Sequence, residues 1–315
     1  LMYMDTYTKM ANQLSHTKMD EELIAAYDGM TMIGAGNFSN GNFKFDSELE
    51  GENFINSKFN NLNDAPLNAE YSKYLTDNGQ LIAFGGASLN LDAIVNVINH
   101  TKYEYDQYGE ELSKMGLKIE DLNSIFDGQY SASLMDIESI PTEGYEGNVA
   151  FNQERPKFLL ACGIKDVEKL TNLLTNNEKV KPVNNYFLID DLYIGMSEKK
   201  LFVSLNDELI QKLVNGETLV PYKTNFKTPL NGELIANTHQ LPEGFKKALL
   251  KKDGGQEVLK LYNLIEQIQF NGDIKHTTFN IEFTDQSKNS LEVFSNAVLE
   301  NLLPIIMQMN GNIFP

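Results

Sequence analysis

Few residues of this chain have side chains that attack or titrate near neutral pH, and their spacing argues against one shared site. The four histidines, His16, His100, His239 and His276, lie far apart in the sequence. None of them belongs to an HExxH motif or to a similar ligand pattern. His276 lies in an alternating stretch, which favours a partly exposed strand position. We therefore predict neither a metal site nor a catalytic histidine, and no cofactor.

Ser88 and Cys162 are the candidate nucleophiles. Ser88 follows a Gly-Gly-Ala run as in a nucleophile elbow, but Asn90 stands where that elbow requires glycine. We interpret Ser88 as a loop residue beside a helix cap. Cys162 is the only cysteine and lies in an apolar run, so we predict a buried, unreactive thiol. A single cysteine also excludes an intramolecular disulfide and a Cys-based zinc site.

Carboxylates are too numerous to identify a site by themselves, since the chain has 44 acidic and 26 basic residues. A carboxylate pair for glycoside hydrolysis could be assembled anywhere by the fold, so a hydrolase remains an alternative. Asp190-Asp191 is the densest acidic pair at a predicted strand end, but no Asp-x-Asp-x-Asp-Gly loop surrounds it. We interpret this pair as solvated loop charge.

Three tyrosines, Tyr103, Tyr105 and Tyr108, lie near the start of a predicted helical region that runs to Phe126. They could form a platform for stacking on a sugar, but packing of the helix is the more common use of aromatic residues. No binding residues are assigned from the sequence.

The net charge of −18 makes binding to nucleic acid or to anionic lipid unfavourable at long range. Arg155 is the only arginine, so the bidentate fork that recognises phosphates and bases is nearly absent. No apolar run approaches the roughly 18 residues of a membrane span. These observations exclude nucleic acid from the predicted partners.

Residues 157–174 show the local unit from which the chain is built. An apolar run ends at Gly163, and Asp166 can then cap a helix whose apolar residues Val167, Leu170 and Leu174 share one face. The pattern predicts a strand, a short loop and an amphipathic helix that share a core. Gly34, Gly36 and Gly41 do not form a dinucleotide loop, because Asn40-Gly41 predicts a hairpin instead of a helix start.

Two landmarks recur in the last third of the chain. Segments 79–83 and 232–236 both read Gly-x-Leu-Ile-Ala, and Phe126-Asp127-Gly128 resembles Phe270-Asn271-Gly272. We interpret these matches as an internal duplication in which the strands after Gly128 and Gly272 are equivalent. We assign both Asx-Gly pairs to backbone turns.

Phe126–Glu138 (FDGQYSASLMDIE), the preceding GLKIEDLNSI and the later PKFLLACGIKDVEKLTNLL together resemble an uncharacterised family of secreted Bacteroidetes lipoproteins that carry a large domain of unknown function. The shared pattern is a helix, an aromatic-x-Gly turn and an alternating strand that ends near an aspartate, here Asp136. The resemblance implies export, a lipid anchor upstream of Leu1 and a periplasmic or outer-membrane, cell-surface location. It implies no activity and no catalytic residues.

Together these observations predict an α+β protein with mainly antiparallel sheets covered on one face by helices, in two related halves from an internal duplication. The predicted halves are residues 1–220, which include 157–174, and residues 221–315, either separate or packed as one continuous unit. We expect a non-catalytic envelope protein that binds an unknown protein or glycan partner or acts as a scaffold. The alternatives are a carrier of an apolar or glycan ligand between the halves and the hydrolase described above.

Overall fold

The computed structural model of this 315-residue chain describes residues 2–3, 17–19, 21–57, 61–63, 65–103, 118, 121–142, 151–224, 226–235, 239–252, 254–297 and 299. The strands are β1 (Met2–Tyr3), β2 (Thr17–Met19), β3 (Thr31–Ser39), β4 (Asn42–Glu50), β5 (Ala83–Ser88), β6 (Thr101–Tyr103), β7 (Phe126–Thr142), β8 (Phe151–Ile164), β9 (Val180–Val183), β10 (Tyr186–Ile189), β11 (Leu192–Ser197), β12 (Lys200–Ser204), β13 (Leu230–Ile235), β14 (Ile265–Gly272) and β15 (His276–Phe283). The helices are α1 (Glu21–Tyr27), α2 (Glu52–Ile55), α3 (Leu91–Asn99), α4 (Leu122–Ile125), α5 (Val167–Asn176), α6 (Asp207–Val214), α7 (Glu243–Leu250), α8 (Gly255–Tyr262) and α9 (Ser290–Ala297), with a 3-10 helix at Ala69–Tyr74.

A single large sheet organises these elements. Its 13 strands follow the order β1-β3-β4-β15-β14-β13-β5-β7-β8-β12-β11-β10-β9, while β2 and β6 form a separate pair. Every pairing is antiparallel. The predicted α+β class with antiparallel pairing is therefore confirmed.

The core lies on both faces of the sheet around β8, not on one face as the sequence suggested. Leu159 and Ala161 pack in a cluster that includes residues of α6 and of the 3-10 helix. Cys162 and Ile164 belong to the cluster on the other side, together with Leu170 of α5. Because layers cover both faces there, residues 158–164 of β8 have no exposed side, and this explains the continuous apolar run.

The local signals of residues 157–174 and of the hairpin are confirmed. Asp166 Oδ1 accepts a hydrogen bond from the Lys169 backbone N–H at 2.8 Å and caps α5, a contact that typically stabilises a helix by about 1 kcal/mol. Asn90 caps α3 in the same way. Strands β3 and β4 meet at Asn40-Gly41, where Gly41 has φ +66°.

Two other predictions differ from the structure. Tyr103 ends β6, so the start of the predicted helical region is wrong, whereas α4 ends at Ile125, one residue before the predicted end at Phe126. Residues 104–117 lie outside the described chain, and with them Tyr105 and Tyr108. Strand β5 extends to Ser88, which therefore lies on a strand and not in a loop.

The landmarks of the proposed duplication do not occupy equivalent positions. Leu81 and Ile82 precede β5, whereas Leu234 and Ile235 end β13. Gly128 lies near the start of β7, whereas Gly272 is the last residue of β14. The same aromatic-Asx-Gly sequence therefore occurs at the start of one strand and at the end of another. These matches do not show a duplication.

The chain nevertheless contains two runs with the same order of strands and helices, and their strands are arranged symmetrically in the sheet about the β13–β5 pair. The first run is β3, β4, α2, β5, α3, α4, β7, β8 and α5, with the 3-10 helix and β6 as additions, and the second run is β11, β12, α6, β13, α7, α8, β14, β15 and α9. In the sheet, β5, β7, β8 and β12 follow one another on one side of the centre, and β13, β14, β15 and β4 on the other. These runs have other bounds than the halves predicted from the sequence, and the internal duplication is not shown.

The described strands of residues 221–315, β13, β14 and β15, lie side by side in this sheet, with strands of residues 1–220 on either side. Strand β15 pairs with β4, and β13 pairs with β5. The two predicted halves therefore share backbone hydrogen bonds at two places and contribute strands to one sheet.

Candidate functional site

Side-chain alternation gives the half of the sheet formed by β4, β15, β14 and β13 two chemically different faces. In β4, Phe43 and Phe45 lie on one side, and Lys44 and Asp46 lie exposed on the other. Direct cross-strand pairing places Asn280 of β15 on the same side as Lys44. We call the side that carries Asn280 the polar face; its members are Asn42, Lys44, Asp46, Asn231, Glu233, Gln269, Asn271, Thr278, Asn280 and Glu282.

Hydrogen bonds link neighbouring side chains across this face. Asn42 Nδ2 donates to Asn280 Oδ1 at 2.8 Å, and Thr278 Oγ1 donates to Asp46 Oδ1 at 2.7 Å. Lys44 Nζ lies 2.9 Å from Asp46 Oδ2. The hydrogen bond from Lys44, followed by that from Thr278, lowers the pKa of Asp46. The face therefore carries ordered donors and acceptors that remain accessible to water.

A concavity of about 420 Å³ lies where the two predicted halves meet, and we call it the junction concavity. Strand β5 comes from the first half and strands β13 and β14 from the second. Its lining residues are Phe84, Lys223, Thr224, Lys227, Asn231, Gly232, Glu233, Gln269, Phe270 and Asn271. Seven of these ten residues are polar or charged, so the concavity suits a polar ligand.

Thr228 fixes the segment that forms the wall of the junction concavity. Its hydroxyl donates to the Leu230 carbonyl at 2.7 Å and accepts from the Gly272 backbone N–H at 3.1 Å. The Asn231 amide donates to the Thr228 carbonyl at 2.6 Å. These contacts hold the wall against both β13 and β14, so the shape of the concavity is built by the backbone of two strands.

Glu233 lies within the junction concavity and is itself hydrogen-bonded. The Tyr222 hydroxyl donates to Glu233 Oε1, and Gln269 Nε2 donates to Oε2 at 3.5 Å. Burial, followed by the hydrogen bond to Glu233, raises the pKa of the Tyr222 hydroxyl. Glu233 is therefore positioned as an acceptor, with its orientation set by two neighbours.

A second concavity of about 170 Å³ brings several carboxylates together. Glu70, Glu198 and Glu217 line it, beside Tyr74. Glu70 Oε1 lies 3.1 Å from Lys200 Nζ, so one of these carboxylates is held in an ion pair. Burial, followed by the charge of Glu70, raises the pKa of Tyr74 to about 12. The hypothesis of a carboxylate-based hydrolase would be tested by replacing these glutamates.

The histidines that the structure describes do not converge. His100 follows α3, where Nε2 lies 3.1 Å from Glu22 Oε2. His276 begins β15 as predicted and approaches Glu48 Oε1 at 3.0 Å. His239 is exposed ahead of α7, and His16 lies outside the described residues. Among the residues with described positions, no group of three or more His, Cys, Asp or Glu side chains could hold a metal ion.

The remaining candidates from the sequence are the two possible nucleophiles and the acidic pair, and their contacts are those of structural residues. Cys162 is buried as predicted, and burial, followed by the charge of Asp127, raises the pKa of its thiol to about 12. Ser88 is buried at the end of β5 and accepts a hydrogen bond from Gln129 Nε2 at 2.6 Å. Asp191 of the acidic pair faces Arg155 at 3.2 Å, with the Asp191 side chain 67% exposed.

The two Asx-Gly pairs prove to be different. Asp127 Oδ1 accepts from the Gln129 backbone N–H at 2.8 Å, as expected for a turn residue. At the other pair, Asp273 takes this role by accepting from the Lys275 and His276 backbone N–H groups. The Asn271 side chain makes no hydrogen bond with the described part of the chain and lines the junction concavity instead.

Asp136, near which the sequence predicts the alternating strand to end, lies within β7, because that strand continues to Thr142. Its side chain connects distant parts of the fold. Its Oδ1 accepts from the backbone N–H of Phe245 at 3.0 Å, in the first turn of α7. A carboxylate at this position stabilises the positive end of a helix. No sequence signal could have paired these residues, which lie 109 positions apart.

Comparisons of this chain with models of protein families, with curated proteins and with solved structures found no match. None of the helices described in the structure has the length and apolar character needed to cross a membrane.

Proposed function

We propose that this protein is a non-catalytic binding or scaffold module of the bacterial cell envelope, and that the junction concavity is its binding surface. The observation that supports this most directly is the chemistry of that concavity. It lies on an exposed sheet face, and most of its lining consists of amide, hydroxyl and ammonium groups that form hydrogen bonds without being strong nucleophiles. A carrier of an apolar ligand is less favoured, because an apolar ligand would leave these polar groups unpaired.

The envelope location rests on the resemblance to secreted Bacteroidetes lipoproteins. The proposed location is periplasmic or on the outer membrane and cell surface, with membrane association only through a lipid anchor. The overall charge of −18 is consistent with this, since it disfavours contact with anionic phospholipid surfaces by the body of the protein.

The test is co-sedimentation of the purified protein with envelope fragments from a Bacteroidetes bacterium. We expect the protein to pellet with the fragments, and the double variant Gln269→Ala/Asn271→Ala to remain in the supernatant. The control is Asn172→Ala, which removes an exposed asparagine on α5, a helix that contacts β9 at the opposite end of the same sheet. All three proteins should show the same circular dichroism spectrum and melting temperature.

Failure of the unchanged protein to pellet would overturn the proposed function. Release of soluble sugars or peptides from the fragments would show that the protein is a catalyst. In that case Glu70→Gln, in the second concavity, would test whether the carboxylates there carry the reaction.

A further inference from the structure

The junction concavity combines several hydrogen-bonding groups that have no partner in the fold. Asn271 makes no side-chain hydrogen bond within the described residues, and the same holds for the ammonium groups of Lys223 and Lys227. The side-chain carbonyl of Gln269 is also spare, since only its amide nitrogen is used, towards Glu233. Donors and acceptors therefore stand side by side on one small surface.

This mixture restricts the chemistry of a ligand. A simple anion would meet the two lysines but would also face the Glu233 carboxylate and the Gln269 carbonyl. A cation would meet the Glu233 carboxylate but would also face the two lysines. Each hydroxyl group donates one hydrogen bond and accepts others, so a hydroxyl-rich ligand satisfies both kinds of group without a net charge.

The shape of the site fits the same class of ligand. The volume of about 420 Å³ falls within the range of small-molecule sites, and the concavity opens onto the polar face. Along that face, Asn280, Asp46 and Lys44 continue the row of accessible polar groups across β15 and β4. A chain-like ligand could therefore extend from the concavity along neighbouring strands, which lie about 4.8 Å apart.

We propose that the junction concavity binds a neutral, hydroxyl-rich polymer, that is, a glycan chain, with Asn271 and Gln269 as direct hydrogen-bonding residues. This inference rests on the proposed function and specifies the ligand of the same surface. Asp273, and not Asn271, accepts the hydrogen bonds of the adjacent backbone turn. The side-chain amide of Asn271 is therefore available to the ligand.

The test is affinity electrophoresis in native gels that contain one neutral polysaccharide each, from a panel of α-glucan, β-glucan, xylan, mannan and galactan. We expect retardation by at least one member of the panel. Each of Asn271→Ala and Gln269→Ala should weaken that binding about fivefold, because each removes one hydrogen bond, and the double variant should weaken it more than tenfold. Asn172→Ala, which lies on α5 away from the polar face, serves as the matched control and should migrate as the unchanged protein does.

Two further arms separate this proposal from its alternatives. Excess inorganic phosphate in the gel should leave the retardation unchanged, whereas its loss would show that the site takes an anion. Absence of retardation by every polysaccharide, or retardation that the double variant preserves, would overturn the proposal. If envelope fragments still bind the protein through Asn271 in the co-sedimentation assay, the binding function stands and its ligand is not a neutral glycan.

Discussion

Asp77 is the charged residue whose replacement we expect to reduce stability most. Its carboxylate accepts hydrogen bonds from Lys157 Nζ at 3.0 Å and from Lys212 Nζ at 3.1 Å. The side chains of Asp77 and Lys157 are only 15% and 17% exposed. Because Lys157 lies on β8 and Lys212 on α6, this one carboxylate joins a loop, a strand and a helix.

The magnitude follows from these contacts. A hydrogen bond to a charged group contributes about 1.5–3 kcal/mol, and the bond from Lys212 counts for less because that side chain is 40% exposed. We expect Asp77→Asn to lower the free energy of unfolding by about 3 kcal/mol. With an unfolding entropy of about 2.1 cal/mol/K per residue, this corresponds to a fall of about 4–5 °C in melting temperature.

The pH dependence gives an independent check. Burial alone would raise the pKa of Asp77, but the hydrogen bonds from Lys157 and Lys212 outweigh it and the pKa is lowered. The carboxylate therefore stabilises the fold in full above its unfolded pKa of about 3.9, and this stabilisation is lost as the pH falls through the lower, folded pKa. The gap in stability between the unchanged protein and Asp77→Asn should be constant from about pH 7 to about pH 5 and should narrow below about pH 4.

The assay is urea unfolding followed by circular dichroism across this pH range, with Asp191→Asn as the control. Asp191 also pairs with a cation, Arg155, but its side chain is 67% exposed, so its replacement should cost under about 1 kcal/mol. Equal losses of stability in Asp77→Asn and Asp191→Asn at neutral pH would refute the stabilising role of Asp77. A gap that stays constant below the unfolded pKa would refute the ionic origin of the effect.

Three further predictions concern single side chains. Gly128 and Gly216 both have positive φ, but an added Cβ at Gly128 would lie 2.1 Å from a carbonyl oxygen, whereas an added Cβ at Gly216 would have no atom within 4 Å. Urea unfolding should therefore show a loss of about 1 kcal/mol in the free energy of unfolding for Gly216→Ala and a larger loss for Gly128→Ala. Burial raises the pKa of Cys162 to about 12, so a thiol reagent at about pH 8 should label it only as fast as the protein unfolds, and rapid labelling would contradict this. Asp136→Ala should lower stability by about 1–2 kcal/mol and speed hydrogen exchange at the Phe245 amide, whereas unchanged exchange there would argue against the cap.

The features that the sequence predicted correctly are local. The caps at Asp166 and Asn90 and the hairpin at Asn40-Gly41 depend on residues no more than about four positions apart. The apolar run at Cys162 predicted a buried strand, and the structure covers this part of β8 on both faces. In each case the side chain and the backbone group that it serves stand close together in the sequence.

The candidate site could not be predicted in the same way. Alternation in β4 and β15 is visible in the sequence, but it does not say which strands are neighbours or that their polar sides coincide. The sequence predicts a turn role for Asn271 because it precedes glycine, and only the structure shows that Asp273 accepts the hydrogen bonds of that turn. A residue whose local role is already filled by another is recognised from contacts, not from a motif.

The pairing order also explains why a boundary near residue 220 does not separate a site-bearing part from the rest. The hairpin β3–β4 of the first run pairs with β15 of the second run, and the hairpin β11–β12 of the second run pairs with β8 of the first. Each run thus supplies the strand that extends the other run's part of the sheet. The junction concavity lies where β5 of the first run meets β13 of the second, so its lining exists only when the two runs are paired. A ligand held there would contact both runs at once, and its binding would add to the stability of the whole sheet through the preference for the folded state.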